Sequence, residues 1–421
     1  MSLQAIRGTR DIFGPEMLAW HRVEEIFRDV ARSFSYQEFR TPIIESTELF
    51  KRGVGEETDI VGKEMYTFDD RGGDSITLRP EMTAPIVRAM IEHSILHHHP
   101  LTRLWYAGPQ FRYERPQKGR YRQFHQFGAE CIGSAHPESD VEIILLAHEV
   151  LRRTGLKSFI LELNSLGTAS VRQSYRQALV EYLTQHQDEL SDDSQRRITT
   201  NPLRVLDSKD EKDQSIIAAA PLLSSFYDES SAAHFAAVRT LLDVAGIPYV
   251  VNPLLVRGLD YYNQTVFEFT TTALGTQNAI GGGGRYDPLF AKLGGGDVPA
   301  VGFSIGIERV ILLLEAEQGG WQEEQSSGVY LCAIGEDAIL PVQTIAFRLR
   351  RAGIHVITDL QRRSMKAQMK EANRQRVKWT VMIGENELAN STAVVKSMET
   401  GEQQTVAQHD LETHLIGPTA T

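Results

Sequence analysis

Cysteine is nearly absent from the 421 residues: Cys131 and Cys332 are the only two. That excludes a disulfide scaffold and a cysteine-built zinc centre, and it fits a reducing compartment. No run of about 18 apolar residues exists to span a bilayer. Met1 to Phe13 carries Arg7, Arg10 and Asp11 where a signal peptide needs an apolar stretch. A cytoplasmic protein without membrane attachment is the expectation. Phosphate-loop chemistry is also missing, since there is no G-x-x-x-x-G-K-[ST] stretch. The run Gly281–Gly284 reads as a loop and leads into Arg285-Tyr286-Asp287, so it does not open a dinucleotide turn. There is no H-E-x-x-H; the adjacent His97, His98 and His99 cannot all face one metal and read as a surface loop ending at Pro100. Gly302-Phe303-Ser304-Ile305-Gly306 matches a nucleophile-elbow pattern. It lies in an apolar run without triad partners, which argues against an acyl-serine mechanism.

What is present is the profile of an ordinary globular protein, with 41% hydrophobic and 24% charged residues. The length corresponds to two or three domains. Lys and Arg number 44 against 55 Asp and Glu, a net −11 that repels polyanions at long range. Two basic islands depart from this. Arg112 to Arg122 holds five basic residues and one acid, a local +4; Arg348 to Lys378 holds ten against two, a local +8. Most such runs are solvated helix faces; two on an acidic body leave room for a polyanionic partner.

Composition divides the chain at a Gly-, Gln- and Ser-rich linker, 318–328. The first part, 1–325, mixes strands and helices and is interrupted at about 171–250 by a helical, polar insertion, where Phe235, Val238, Leu241 and Leu242 recur at helical spacing. The tail, 329–421, alternates strand and helix patterns: Val329–Ile334, Ala338–Arg351, Ile354–Thr358, Gln361–Arg376 and Trp379–Ile383. Ala393–Lys396 then pairs with Gln404–Ala407. This predicts an α/β module with a largely parallel sheet.

Candidate chemistry concentrates between Trp105 and Ile132. Leu104–Ala107 and Phe124–Cys131 read as an antiparallel pair joined by the basic loop, with Gln126, Gly128 and Glu130 on one face of the second strand. Arg112, at the end of the first strand, can meet a phosphate with a forked donor. Arg79, Glu81 and Thr83 fall at period two beside Pro80 and Pro85 and read as a strand end. Arg257 sits beside Gly258, which permits close approach of a ligand. Ala300 to Val310 reads as strand, glycine turn and apolar helix, placing Arg309 where helix N-termini favour anions. Three guanidiniums, those of Arg112, Arg257 and Arg309, could then surround a triphosphate.

These segments, in this order, resemble the class II aminoacyl-tRNA synthetases, and among them the histidyl-tRNA synthetase family, from Ile6-Arg7-Gly8-Thr9-Arg10-Asp11 to the tail. Phe39–Ile43 resembles motif 1, Phe111 through Glu130 motif 2, and Gly306–Arg309 motif 3. Leu255–Tyr262 and Gly283–Asp287 resemble two segments peculiar to the histidine enzymes. The resemblance implies an α+β catalytic core, an antiparallel sheet flanked by helices with a helical insertion, followed by a C-terminal α/β anticodon-binding domain. It implies activation of L-histidine with ATP and transfer to tRNA(His) by a homodimer, without a protein-held metal but with Mg²⁺ on the nucleotide. By the same resemblance, histidine is bound by Glu81, Thr83, Gln126, Glu130, Arg257, Tyr261 and Tyr262, with Glu130 and Tyr262 meeting the imidazole. ATP meets Arg112, Glu114, Arg120 and Arg309; Arg112 and Arg257 are the catalytic pair. Gln117, Lys118 and Arg120 lie near the tRNA acceptor end. The rival reading is an inactive synthetase-like regulatory subunit of ATP phosphoribosyltransferase in histidine biosynthesis.

Overall fold

The computed structural model describes residues 3–56, 58–273, 278–319 and 326–416. The chain forms two compact units, Met1–Trp321 and Gln322–Thr421. Part of the expected linker, 320–325, lies outside the described residues.

The first unit opens with α1 (Glu16–Ser33), whose Trp20, Val23, Phe27 and Val30 are buried at helical spacing. The strands β1 (Gln37–Glu38), β2 (Ile44–Ser46), β3 (Tyr66–Asp69) and β4 (Ser75–Leu78) follow, with α2 (Thr47–Val54) between β2 and β3. Next come α3 (Thr83–Glu92), α4 (Ile95–His98), and the long pair β5 (Thr102–Phe111) and β6 (Gln123–Ile132). After α5 (Pro137–Thr154) and β7 (Ile160–Ser165) the chain turns helical: α6 (Ala169–Gln185), α7 (Asp192–Thr200), α8 (Glu211–Ala218) and α9 (Glu229–Val244). It ends with β8 (Val250–Val251), β9 (Asn263–Thr270), β10 (Ala279–Arg285), α10 (Pro288–Lys292), β11 (Ala300–Gly306) and α11 (Ile307–Gln318).

Eight of these strands form one sheet in the order β1-β5-β6-β11-β10-β9-β7-β8. Its six central strands pair antiparallel, and the short edge strands β1 and β8 pair parallel. Strand alternation gives the two faces different tasks. Trp105, Phe127, Ala129, Val301, Phe303 and Ile305 point into a core shared with α1, α5 and α11. The opposite face carries the functional side chains. The helical stretch divides between the faces: Phe235, Val238 and Leu242 of α9 join the core behind the sheet, while residues of α6, α7 and α8 cluster with Tyr261, Tyr262 and Val266.

Three local readings need correction. The strand before Pro80 ends at Leu78, and Thr83 already begins α3, so Arg79, Glu81 and Thr83 do not share a strand face. Arg79 instead turns inward, donating to the carbonyls of Pro109 at 3.1 Å and Thr41 at 2.9 Å. The glycine run is strand β10, not a loop. His97 and His98 close the short helix α4, with only His99 beyond it.

The second unit contains β12 (Ser326–Ala333), α12 (Ile339–Arg351), β13 (Val356–Thr358), α13 (Met365–Arg374), β14 (Val377–Ile383), α14 (Glu385–Asn390), β15 (Thr392–Ser397), β16 (Gln403–Ala407) and α15 (Leu411–Ile416). Its sheet runs β13-β12-β14-β15-β16. The first two pairings are parallel and the last two antiparallel, so the sheet is mixed and not largely parallel. Its own core, built on Val329, Leu331, Val342, Leu349, Val381 and Val395, makes it a separately packed body.

Candidate active site

The site face is paved with glycine. Register places Tyr106, Gly128, Ser304, Gly282 and Glu268 in one row across five strands, and Leu104, Glu130, Gly302, Gly284 and Val266 in the next. The missing side chains leave a trough that substitution would fill. A Cβ on Gly302 would lie 1.6 Å from Oε2 of Glu130, and one on Gly128 would lie 2.3 Å from the Tyr106 hydroxyl.

At one end of the trough stand two buried acids. Glu130 is 1% exposed and accepts hydrogen bonds from the hydroxyls of Thr83 at 2.9 Å and Tyr286 at 2.7 Å. Burial pushes its carboxyl up to about 8, and the neighbouring Glu81 carboxylate adds to the rise. Glu81, 5% exposed, accepts the backbone N–H groups of Thr83 and Ala84, each at 2.8 Å. It thus satisfies donors left open at the start of α3. Burial raises its pKa, and those N–H bonds only partly counter the rise. Tyr261 and Tyr262 lie beside these acids with ring centroids 4.8 Å apart, and Tyr261 meets Tyr286 edge-on at 5.8 Å. Two buried acids hydrogen-bonded by hydroxyl and amide donors, with the Arg112 guanidinium near enough to act on Glu81, form a pocket for a small cationic group.

At the other end the charge reverses. Arg112, on the exit from β5, donates through Nε to the Pro80 carbonyl at 2.9 Å and lies 5.3 Å from the Phe124 ring centroid. Arg120 pairs with Glu114, and Arg309 donates to the carbonyl of Ala279 and, at 3.4 Å, to that of Gly119. Burial lowers the pKa of Arg309, and the positive charges of Arg120 and Arg112 lower it further. Burial likewise lowers Arg120, with Arg112 contributing. Cations that depress one another in this manner are relieved by an anion placed among them.

Arg257 stands between the two ends. It forms an ion pair with Glu268, its guanidinium lies 5.9 Å from the Tyr262 ring centroid, and a Cβ on Gly282 would approach its Nη1 to 2.9 Å. Burial opposes its charge, yet Glu268 and the two tyrosines outweigh burial and its pKa is raised. Gln126 donates to the Ser304 hydroxyl at 3.2 Å.

The structure therefore brings Glu81, Thr83, Gln126, Glu130, Tyr261 and Tyr262 to one end and Arg112, Glu114, Arg120 and Arg309 to the other, with Arg257 between them. Gln117 and Arg120 pair across the tip of the 112–122 loop, where Lys118 is exposed. Tyr262 is placed against Arg257, and the phenol on Glu130 belongs to Tyr286. No role for Tyr286 emerges from the sequence, because its partner lies 156 positions away.

A trough of this form on a six-stranded antiparallel centre, cationic at one end and acidic at the other, places the chain among the class II aminoacyl-tRNA synthetases. A family model described as histidyl-tRNA synthetase matches residues 8–310, and one described as an anticodon binding domain matches 328–416. The chain belongs to the histidyl-tRNA synthetase family. It is 49% identical over 417 residues to a histidine–tRNA ligase of Marinomonas sp. (strain MWYL1), covering 98% of each chain. The apo histidyl-tRNA synthetase of S. aureus superposes with a TM-score of 0.83 at 36% identity, over 99% of this chain and 100% of that one. A protein of Bacillus halodurans described as an ATP phosphoribosyltransferase regulatory subunit/histidyl-tRNA synthetase shares the fold. Its TM-score is 0.65 at 22% identity, over 91% of this chain and 98% of that one.

Proposed function

We propose that the protein activates L-histidine with ATP to histidyl-adenylate and transfers the histidyl group to the 3′ end of tRNA(His). The observation that carries this reading is the opposed chemistry of the trough: mutually repelling Arg112, Arg120 and Arg309 at one end, buried Glu81 and Glu130 at the other. A triphosphate suits the first and an amino acid with a basic ring suits the second.

In this reading Glu81 and Thr83 receive the α-ammonium group, while Glu130, with Tyr262 nearby, receives the imidazole. Gln126 and Arg257 orient the carboxylate. Its oxygen attacks the α-phosphorus as the bond to the β-phosphate bridge breaks, and pyrophosphate leaves with that electron pair. Arg112 and Arg257 stabilise charge on the phosphoryl oxygens, which is electrostatic preorganisation and requires no covalent intermediate on the protein. Glu114 and Arg120 support the nucleotide end with Arg309. Polar groups buried to fit imidazole would be left unpaired by an apolar analogue, a basis for rejection by roughly 10⁴–10⁵.

Among the described residues no group of three or more His, Cys, Asp or Glu is placed to hold a metal ion. Mg²⁺ fits as an ion carried on the β- and γ-phosphates, where it would screen their charge. Gln117, Lys118 and Arg120 would approach the acceptor end of the tRNA, and the second unit, with its basic 348–378 stretch, would bind the anticodon end. Among the described residues no helix is long and apolar enough to cross a membrane; with its two free, buried cysteines this fits a cytoplasmic enzyme. Ile43 and Ile44, exposed at 41% and 50% beside Pro42, support homodimer formation at the motif 1 segment.

The regulatory-subunit reading is not favoured. The arginines of both nucleotide-binding segments and the anticodon module are in place, and the Bacillus halodurans likeness extends to the fold alone. Charging of a tRNA pool with labelled histidine tests the proposal: histidine-dependent, ATP-dependent labelling is expected, and its absence in folded protein would sink it.

A further inference from the structure

Strand β10 poses a mechanical problem. Four of its residues, Gly281 to Gly284, have no side chains to pack, and a glycine-rich strand is intrinsically weak. None can be replaced cheaply: a Cβ on Gly283 would lie 2.0 Å from the Gly302 carbonyl, and one on Gly281 2.5 Å from that of Ser304. The register to β9 also shifts between Gly284 and Arg285. Yet the next residue is Tyr286, whose hydroxyl must meet Glu130 at 2.7 Å. Something other than the strand's own packing must hold that end.

Arg285 occupies the position. It is 1% exposed and turns to the α5 side of the sheet. Its fork donates to the carbonyls of Ser134 at 2.8 Å and His136 at 3.3 Å, to the Ser139 hydroxyl at 2.9 Å, and to the carboxylates of Asp287 at 3.2 Å and Asp140. Asp140, wholly buried in the first turn of α5, also lies 3.4 Å from Nε2 of His234 on α9. Asp287 completes the clamp from the other side. It accepts the Asn263 amide at 2.9 Å and the Ala300 N–H at 2.9 Å, while the Tyr286 N–H bonds the Ala300 carbonyl at 2.8 Å.

We propose that Arg285, held by Asp140 and Ser139, is a positioning residue for histidine recognition: it pins the C-terminal end of the glycine strand and thereby aims Tyr286 at Glu130. This rests on the assignment of the acidic end to histidine. A planar fork satisfied on five acceptors fixes direction as well as place, which a lysine at the same position cannot do.

The test is a double-mutant cycle in pyrophosphate exchange, with KM measured separately for histidine and ATP. Arg285→Lys and Tyr286→Phe should each raise the histidine KM about tenfold and leave the ATP KM within about twofold. The double variant should be no more than about twofold worse than either single one, because both changes break one chain of contacts. Additive effects near a hundredfold, or equal changes in both KM values, would overturn the proposal. Should Arg285→Lys fail to fold, Ser139→Ala, which removes one acceptor of the fork, is read in its place. A two- to threefold rise confined to the histidine KM supports positioning, and no change opposes it. Wild-type protein that exchanges with no histidine would remove the functional reading itself; active wild type with an unmoved histidine KM in the variants would remove only this one.

Discussion

Glu130→Gln changes one atom type in the best-buried acid of the site, and the structure states how stability should respond to pH. In the folded protein the Glu130 carboxyl titrates at about 8, against 4.5 for an ordinary glutamate. Below 4.5 both folded and unfolded chains carry the proton. Between the two values only the folded state keeps it, so stability falls as pH rises and levels off above about 8. Each unit in that window is worth about 1.4 kcal/mol, so between pH 5.5 and 7.5 the wild type should lose about 2–3 kcal/mol that the glutamine variant does not. Glutamine replaces the O–H of the neutral acid by a bulkier NH2 donor and keeps its carbonyl acceptor, so any further cost is a fixed one independent of pH. Glu81, raised by burial in the same manner, contributes a slope of its own, and because its charge acts on Glu130 that slope cancels only in part in the difference. Equilibrium urea unfolding at four or five pH values gives the two curves. They should converge or cross as pH rises. Parallel curves across that range would refute the claim that Glu130 is protonated in the empty pocket.

Arg257→Ala should slow adenylate formation by two or more orders of magnitude while the far-ultraviolet spectrum stays that of the wild type; single-turnover ATP consumption at an unchanged rate would remove Arg257 from the chemistry. Removing Val329–Thr421, a unit with its own core, should leave histidine-dependent pyrophosphate exchange within a few fold and reduce tRNA charging severely. Full charging by the shortened enzyme would break the link between that unit and tRNA.

Much of the site was legible because its signals are local. The alternation in Phe124–Cys131 places Gln126, Gly128 and Glu130 on one face, and the strand–glycine–helix pattern around Gly306 delivers Arg309; the structure has both. The Arg79–Thr83 segment misled because period two was read through Pro80 into what is the opening of α3. There Glu81 serves the helix end by accepting two N–H groups. Arg285 and Tyr286 stand out only as part of a family-like segment, and their roles are illegible for a different reason: their partners, Asp140 and Glu130, are 145 and 156 positions away. The register of β10 against β11, and of β11 against β6, brings them to those partners, and no sequence pattern states it. One clue was available. Glycines at Gly128, Gly282, Gly284 and Gly302 fall on alternate positions of three strands, and once those strands are adjacent they must leave one face bare. The mixed sheet of the tail was missed where Ala393–Lys396 pairs with its neighbours, since strand patterns carry no direction.

The central claim is that the acidic end of the trough selects histidine while the arginines act on ATP. Pyrophosphate exchange into ATP, measured with each of the twenty amino acids and without tRNA, tests it most directly. Exchange with histidine alone is the predicted result. Exchange with another amino acid, or none with histidine in protein that still binds it, would contradict the account.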